Sequence, residues 1–188
     1  MSSPALVALA GTDEAHCDAV ATHLVEDHGY TRFSFAVPRR DALLVLDPML
    51  ADDVSLADLV KRCGWAGALS DRRFGPEVAR LEATFAVKVC QALFGTDAWV
   101  TITARAVERH RAAWGPDPVV VTGLARAEEA AWLRRAGGLL WAVLGPGEPD
   151  VSPVPGCEVD LFLTDDASQE ALARRVTRAV KNYDLSTT

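Results

Sequence analysis

The sequence predicts an α/β domain in which a mostly parallel sheet carries helices on both faces. Three observations lead there. Short apolar runs alternate with longer stretches of helical periodicity along the chain. Val119-Val120-Val121 is continuous and β-branched, the pattern of a strand buried on both faces. The run Leu6-Val7-Ala8-Leu9-Ala10 ends at Gly11 and leads directly into a helix, which is the strand-loop-helix start of such a sheet.

Residues 5–10 read as the first strand. A helix follows over residues 14–27, with Ala19, Val20, His23 and Leu24 at helical spacing, and Gly29 is placed to end it. Residues 31–36 alternate as a second strand, with Phe33 and Phe35 on one face; Pro38 ends it and a helix over 39–46 begins. Ser55 is the expected N-cap of a helix over 56–63 closed by Gly64.

Pro76 sits at the start of a long helix over 77–93, where its missing amide hydrogen costs nothing. Another helical face runs over 97–111 through Trp99, Ile102 and Val107. After the strand at 118–122 come a helix over 127–136, a strand over 139–144 and a Gly/Pro loop over 145–156. A short strand at 159–163 and a helix at 168–180 close the series. Residues 1–184 are expected to form a single domain, and 185–188 a loose tail.

Composition narrows the function. Of 188 residues, 49% are hydrophobic and 24% charged, the balance of a soluble globular protein. A net charge of −7 argues against a broad basic face for duplex nucleic acid. The arginine-rich strings at 72–73, 134–135 and 174–178 read as solvated helix faces. Four cysteines without C-x-x-C spacing, and no leader pattern, lead to the expectation of free thiols in a cytoplasmic protein. No apolar run is long enough for a membrane span.

The chemistry concentrates at Gly11-Thr12-Asp13-Glu14-Ala15-His16-Cys17-Asp18, the position of a phosphate-binding loop. Such a loop reads G-x-x-x-x-G-K-[ST]: glycine amides cradle phosphate and lysine neutralises it. Gly11 fits, but His16 stands at the second glycine and Cys17 at the lysine. Asp13 and Glu14 add carboxylates to the cradle.

Further segments follow in order: Ser34-Phe35-Ala36 with Pro38, Leu46-Asp47-Pro48, Leu56-Ala57-Asp58-Leu59-Val60, Gly64-Trp65 and Pro76-Glu77-Val78. Leu93-Phe94-Gly95, Asp97-Ala98-Trp99-Val100, Val119-Val120-Val121-Thr122, Glu129-Ala130 before Ala136-Gly137-Gly138, and Thr164-Asp165-Asp166-Ala167-Ser168 complete the series. Taken together they resemble the deoxynucleoside monophosphate kinases of phages and actinobacteria, over nearly the whole chain. The resemblance implies a three-layer P-loop NTPase-like fold.

The departures from that family all fall on chemistry. The phosphate-loop hydroxyl step is Asp18-Ala19, and the family's Ala-Asp-Pro is Ala36-Val37-Pro38. Its Gln…Gly-Thr-Glu-x-x-x-Arg run falls on Ala83, Ala86, Val87, Lys88 and Gln91. Its Thr-Asp-x-Arg becomes Thr122-Gly123-Leu124-Ala125, and the lid, residues 145–156, holds no Lys or Arg. Phosphoryl transfer runs on positioning and charge neutralisation, and losing one such group commonly costs about a hundredfold in rate.

The expectation is therefore a degenerate kinase-like protein without ordinary ATP-dependent activity, binding a nucleotide, a nucleoside, another small ligand or a partner. That partner is a kinase-like protein or a second copy of the chain; no membrane or duplex nucleic acid is expected. An alternative is an active deoxynucleoside monophosphate kinase, using ATP and Mg²⁺, with relocated cations drawn from Arg39, Arg40, Arg72, Arg73 and Lys88. A second alternative is a different enzyme at the same end of the cleft, using Cys17, His16 or Asp18. Gly11 to Asp18, Arg39, Arg72, Lys88 and Trp99 are the candidate ligand-binding residues. His16 and His23 lie two helical turns apart, too far for one ion, so no metal site is expected.

Overall fold

The computed structural model describes residues 4–95, 97–165 and 168–186. Thr96, Asp166, Ala167 and the last two residues of the expected tail lie outside the described residues. The chain divides into two compact units, one built from residues 1–35 and 100–188, the other from residues 36–99.

The first unit holds a five-stranded parallel sheet. Its strands are β1 (Leu6–Gly11), β2 (Thr31–Ser34), β5 (Val119–Thr122), β6 (Leu139–Leu144) and β7 (Leu161–Thr164), in the order β2-β5-β1-β6-β7. The centre is β1, in register with β5 through Val7↔Val120 and with β6 through Leu9↔Trp141. Strand pleat alternates side chains across the sheet. Val7 and Leu9 therefore join one core with Val20 and Leu24 of α1 (Glu14–His28) and Val176 of α8 (Gln169–Ser186). Leu6, Ala8 and Ala10 join the other, with Val107 of α6 (Ala98–Trp114) and Leu133 of α7 (Ala127–Arg135). All four residues of β5 are buried, as the unbroken valine run predicts. The α/β class, the parallel sheet and the helices on both faces are as expected.

The second unit packs around Leu43, Leu56, Leu59, Phe74 and Val78. It contains α2 (Val37–Leu46), the hairpin β3 (Met49–Ala51) and β4 (Val54–Ser55), α3 (Leu56–Ser70), α4 (Gly75–Thr84), a π-helical segment (Phe85–Gln91) and α5 (Ala92–Phe94).

Local chemistry shifted several boundaries. Pro38 lies in the first turn of α2, where proline is tolerated, so β2 stops at Ser34 and the helix begins at Val37. Gly64 interrupts helical geometry at φ 70 and ψ 174, but helical residues resume beyond it up to Ser70. The expected long helix over 77–93 is instead α4, the π segment and α5 in succession. The β3–β4 hairpin was too short to show a period in the sequence.

Candidate functional site

The loop between β1 and α1 lies at the carboxyl end of the central strand, where ligands bind in open α/β sheets. Gly11 is required there by contact. A Cβ at this position would stand 2.6 Å from the Val143 carbonyl oxygen and 2.9 Å from the Cys17 Sγ. Asp13 is the N-cap of α1: in extended conformation (φ −117, ψ 124), its carboxylate accepts the Ala15 amide at 2.8 Å. A helix N-terminus is a ready site for phosphate, but here a resident carboxylate already occupies one of its amides.

Cys17, which the sequence sets where a phosphate-binding loop would hold lysine, is turned into the core. Cys17 is 4% exposed and packs in the core with Val7, Val20 and Val143. Burial, and then the charges of Asp18, Glu14 and Asp13, push its thiol up to about 12, against a smaller pull from Arg32. It is a neutral core thiol at physiological pH. Asp18, at the hydroxyl position, forms an ion pair with Arg32 of β2, which also donates to the Thr122 Oγ1 at 3.4 Å.

His16 projects into a set of carboxylates. Its Nδ1 lies 2.8 Å from the Asp165 Oδ2, just beyond β7, and its Nε2 lies 3.9 Å from the Asp13 Oδ2. The Asp165 hydrogen bond is the main force raising the imidazole above its ordinary range. Partial burial opposes it, and the charges of Asp165, Asp13 and Glu148 add to it. His16 is thus already engaged by carboxylates of the protein itself.

Glu148, from the loop after β6, closes the arrangement. Its carboxylate accepts the Thr12 hydroxyl at 2.5 Å and the Gly145 amide at 2.8 Å. Those two bonds, in that order, hold it below the usual carboxylate range, with His16 assisting. Gly145 suits this crowding, since a Cβ there would meet the His16 Nε2 at 3.4 Å and the Glu148 Cδ at 3.5 Å. The loop after β6 thus delivers a carboxylate to the loop after β1. After β5, the Glu129 carboxylate, 1% exposed, accepts the Ala125 and Arg126 amides at 2.8 and 3.1 Å and pins the loop at Gly123 to Ala125.

Candidates in the second unit are described within it. The Glu82 Oε1 lies 3.3 Å from the Arg40 Nε, which donates to it, and 3.7 Å from the Arg39 Nη2. The Arg40 guanidinium also stacks 5.3 Å above the centre of the Trp65 ring. Arg72 is exposed in the turn after α3, and Lys88 is exposed on the π segment. Trp99 is buried beside Phe85, with ring centres 6.1 Å apart, and its Nε1 has no hydrogen-bond partner among the described residues.

The structure thus brings together Thr12, Asp13 and His16 from the predicted loop with Glu148 of the expected lid and Asp165 of the segment 164–168, neither of which was a candidate site residue in the sequence. Both were visible as acids at the carboxyl ends of strands. Neither carries a period or motif that links it to a loop more than a hundred positions away. Among the described residues, no group of three or more His, Cys, Asp or Glu side chains is placed to hold a metal ion, and no helix is long and apolar enough to cross a membrane.

No family model and no curated protein matches the chain. Solved structures do. A dephospho-CoA kinase from Campylobacter jejuni is 10% identical, with 98% of this chain and 99% of that one covered at a TM-score of 0.49. TT1252 from Thermus thermophilus is 17% identical, with 96% and 98% covered at a TM-score of 0.46. What the chain itself shows is an α/β fold, a parallel five-stranded sheet with helices around it. The residues around the loop after β1 present carboxylates to it. The helix amide, the threonine hydroxyl and the histidine are all engaged by carboxylates, and no lysine or arginine of the loop faces them.

Proposed function

We propose that the chain is a degenerate relative of the deoxynucleoside monophosphate kinases that does not carry out ordinary ATP-dependent phosphoryl transfer. It acts instead by binding a nucleoside, a nucleotide or another small ligand, or a protein partner. The observation that carries this reading is the seat of Glu148 on Thr12 and the Gly145 amide. A triphosphate entering the loop would meet Glu148, Asp13 and Asp165 with His16 already paired, and like charges at such distances repel by several kcal/mol at roughly a surface dielectric.

Calorimetry with ATP·Mg²⁺ and a coupled assay with deoxynucleoside monophosphates test it. The expected result is no ATP·Mg²⁺ heat and no ADP formation. A thermal-shift screen then finds the ligand, since one at a hundred times its dissociation constant stabilises by about 2.7 kcal/mol. Turnover of ATP that is lost on Lys88→Ala or Arg72→Ala would overturn the reading in favour of an active kinase with relocated cations.

One observation favours a second reading, a different enzyme at the same strand ends. Asp165 orients His16 through Nδ1, the arrangement by which a carboxylate prepares an imidazole to exchange a proton at Nε2. In that reading His16 is the acid-base group and Cys17, buried in the core, has no part as a nucleophile. An activity abolished by His16→Gln and retained in Cys17→Ala would identify it.

A further inference from the structure

The imidazole of His16 stands where three segments from the carboxyl end of the sheet meet. Its Nδ1 lies 2.8 Å from the Asp165 Oδ2, just after β7. Its Nε2 lies 3.9 Å from the Asp13 Oδ2, and so near the chain at Gly145 that a Cβ there would meet it at 3.4 Å. A carboxylate only accepts, so Asp165 keeps a proton on Nδ1 whether the ring is charged or neutral. The proton that comes and goes is therefore the one on Nε2, the nitrogen that abuts Gly145 and Asp13.

Three carboxylates share this one ring, and they are not equally fixed. Asp13 is tied to α1 as its N-cap through the Ala15 amide. Asp165 is tied to the sheet, its amide donating to the Leu144 carbonyl at 2.8 Å. Glu148 sits on a turn whose middle residues, Pro146 and Gly147, are exposed. Its amide donates to the Gly145 carbonyl at 3.3 Å, and its carboxylate is held by the Thr12 hydroxyl and the Gly145 amide. With Nε2 protonated, a cation faces all three acids. Without that proton they face one another around a neutral ring, and the Nε2 lone pair is turned towards the Asp13 carboxylate. The member able to move away is Glu148.

We propose that His16 is a proton-operated latch: a proton on Nε2 holds the turn at 145–148 closed on the loop after β1, and its loss lets Glu148 leave Thr12 and uncover that loop. The Asp165 hydrogen bond raises the imidazole above 6.5, against partial burial and with the help of the three acids, so release falls above that pH. Glu148, held below the usual carboxylate range, stays ionised there. The other charges nearby are engaged or silent. Asp18 is paired with Arg32, Arg175 of α8 donates to the Thr164 carbonyl, Glu14 is exposed in the first turn of α1, and the Cys17 thiol is neutral up to about 12. The latch governs access to the loop and not the identity of what enters it, so it does not rest on the proposed binding role.

Amide exchange followed by NMR tests it without any ligand, read as protection at Gly145 with the amides of β1 as reference, from mildly acidic to mildly alkaline pH. Protection at Gly145 is expected to fall by about tenfold as pH rises, the usual scale of coupling between two sites. The midpoint should match the titration of the His16 ring protons, and β1 should keep its protection. Asp165→Asn should move both midpoints to lower pH together. His16→Gln, uncharged at every pH, should leave Gly145 weakly protected throughout, with no step. Constant protection at Gly145 across the His16 titration would overturn the latch, as would a step that persists in His16→Gln. Loss of protection in β1 together with Gly145 would overturn it too, since that marks general unfolding and not the opening of one turn.

Discussion

The Nδ1 of His16 and the Oδ2 of Asp165 lie 2.8 Å apart across 149 positions of sequence, joining the first turn of α1 to the end of β7. This bond raises the histidine above the 6.5 of a free imidazole. A base held more tightly protonated in the folded state stabilises that state below pH about 6.5, and the contribution is lost as pH rises through the folded value. The expected outcome is a melting temperature that falls between mildly acidic and mildly alkaline pH more steeply in the parent than in Asp165→Asn. The His16 ring protons, followed by NMR, should titrate above 6.5 in the parent and lower in that variant.

Glu148→Ala removes the acceptor of both the Thr12 hydroxyl and the Gly145 amide. Hydrogen exchange at Gly145 should become faster in the variant, with β1 and β6 unchanged. An unaltered Gly145 rate would show that the Glu148 carboxylate does not hold the loop in solution.

Gly11→Ala places a methyl group against the Val143 carbonyl and the Cys17 thiol. The strand carbonyl is fixed by the sheet and cannot swing aside as a side chain would. Overpacking of this kind costs about 1–3 kcal/mol, read as a lower denaturant midpoint with an unchanged m-value.

With its thiol pushed up to about 12, Cys17 is thiolate at pH 8 in on the order of one molecule in ten thousand. Alkylation followed by mass spectrometry should label the exposed Cys63 first and Cys17 only when the protein unfolds. Early labelling of Cys17 in the native protein would contradict its place in the core.

Glu129→Ala leaves the Ala125 and Arg126 amides without their acceptor at the start of α7. The loss should be about 1–3 kcal/mol, the usual cost of orphaning buried donors. Glu129→Gln, which keeps an acceptor oxygen, should lose less.

The sequence by itself determined the class of the fold and the unusual character of the loop. Val119-Val120-Val121, the apolar run into Gly11 and the alternation of strand and helix are local patterns, and local patterns fix element type because side-chain periodicity follows backbone geometry. That His16 and Cys17 stand where a phosphate-binding loop would hold glycine and lysine was equally plain, since a motif is a matter of spacing. Tertiary structure alone decided what those residues do. Only parallel stacking of β6 and β7 beside β1 brings Glu148 onto Thr12 and Asp165 onto His16, and only the packing of α1 on the sheet turns Cys17 into the core. Pairings between distant segments depend on strand order and register, which no local pattern encodes. The acids around the loop therefore read as scattered charges in the sequence and as one closed arrangement in the fold.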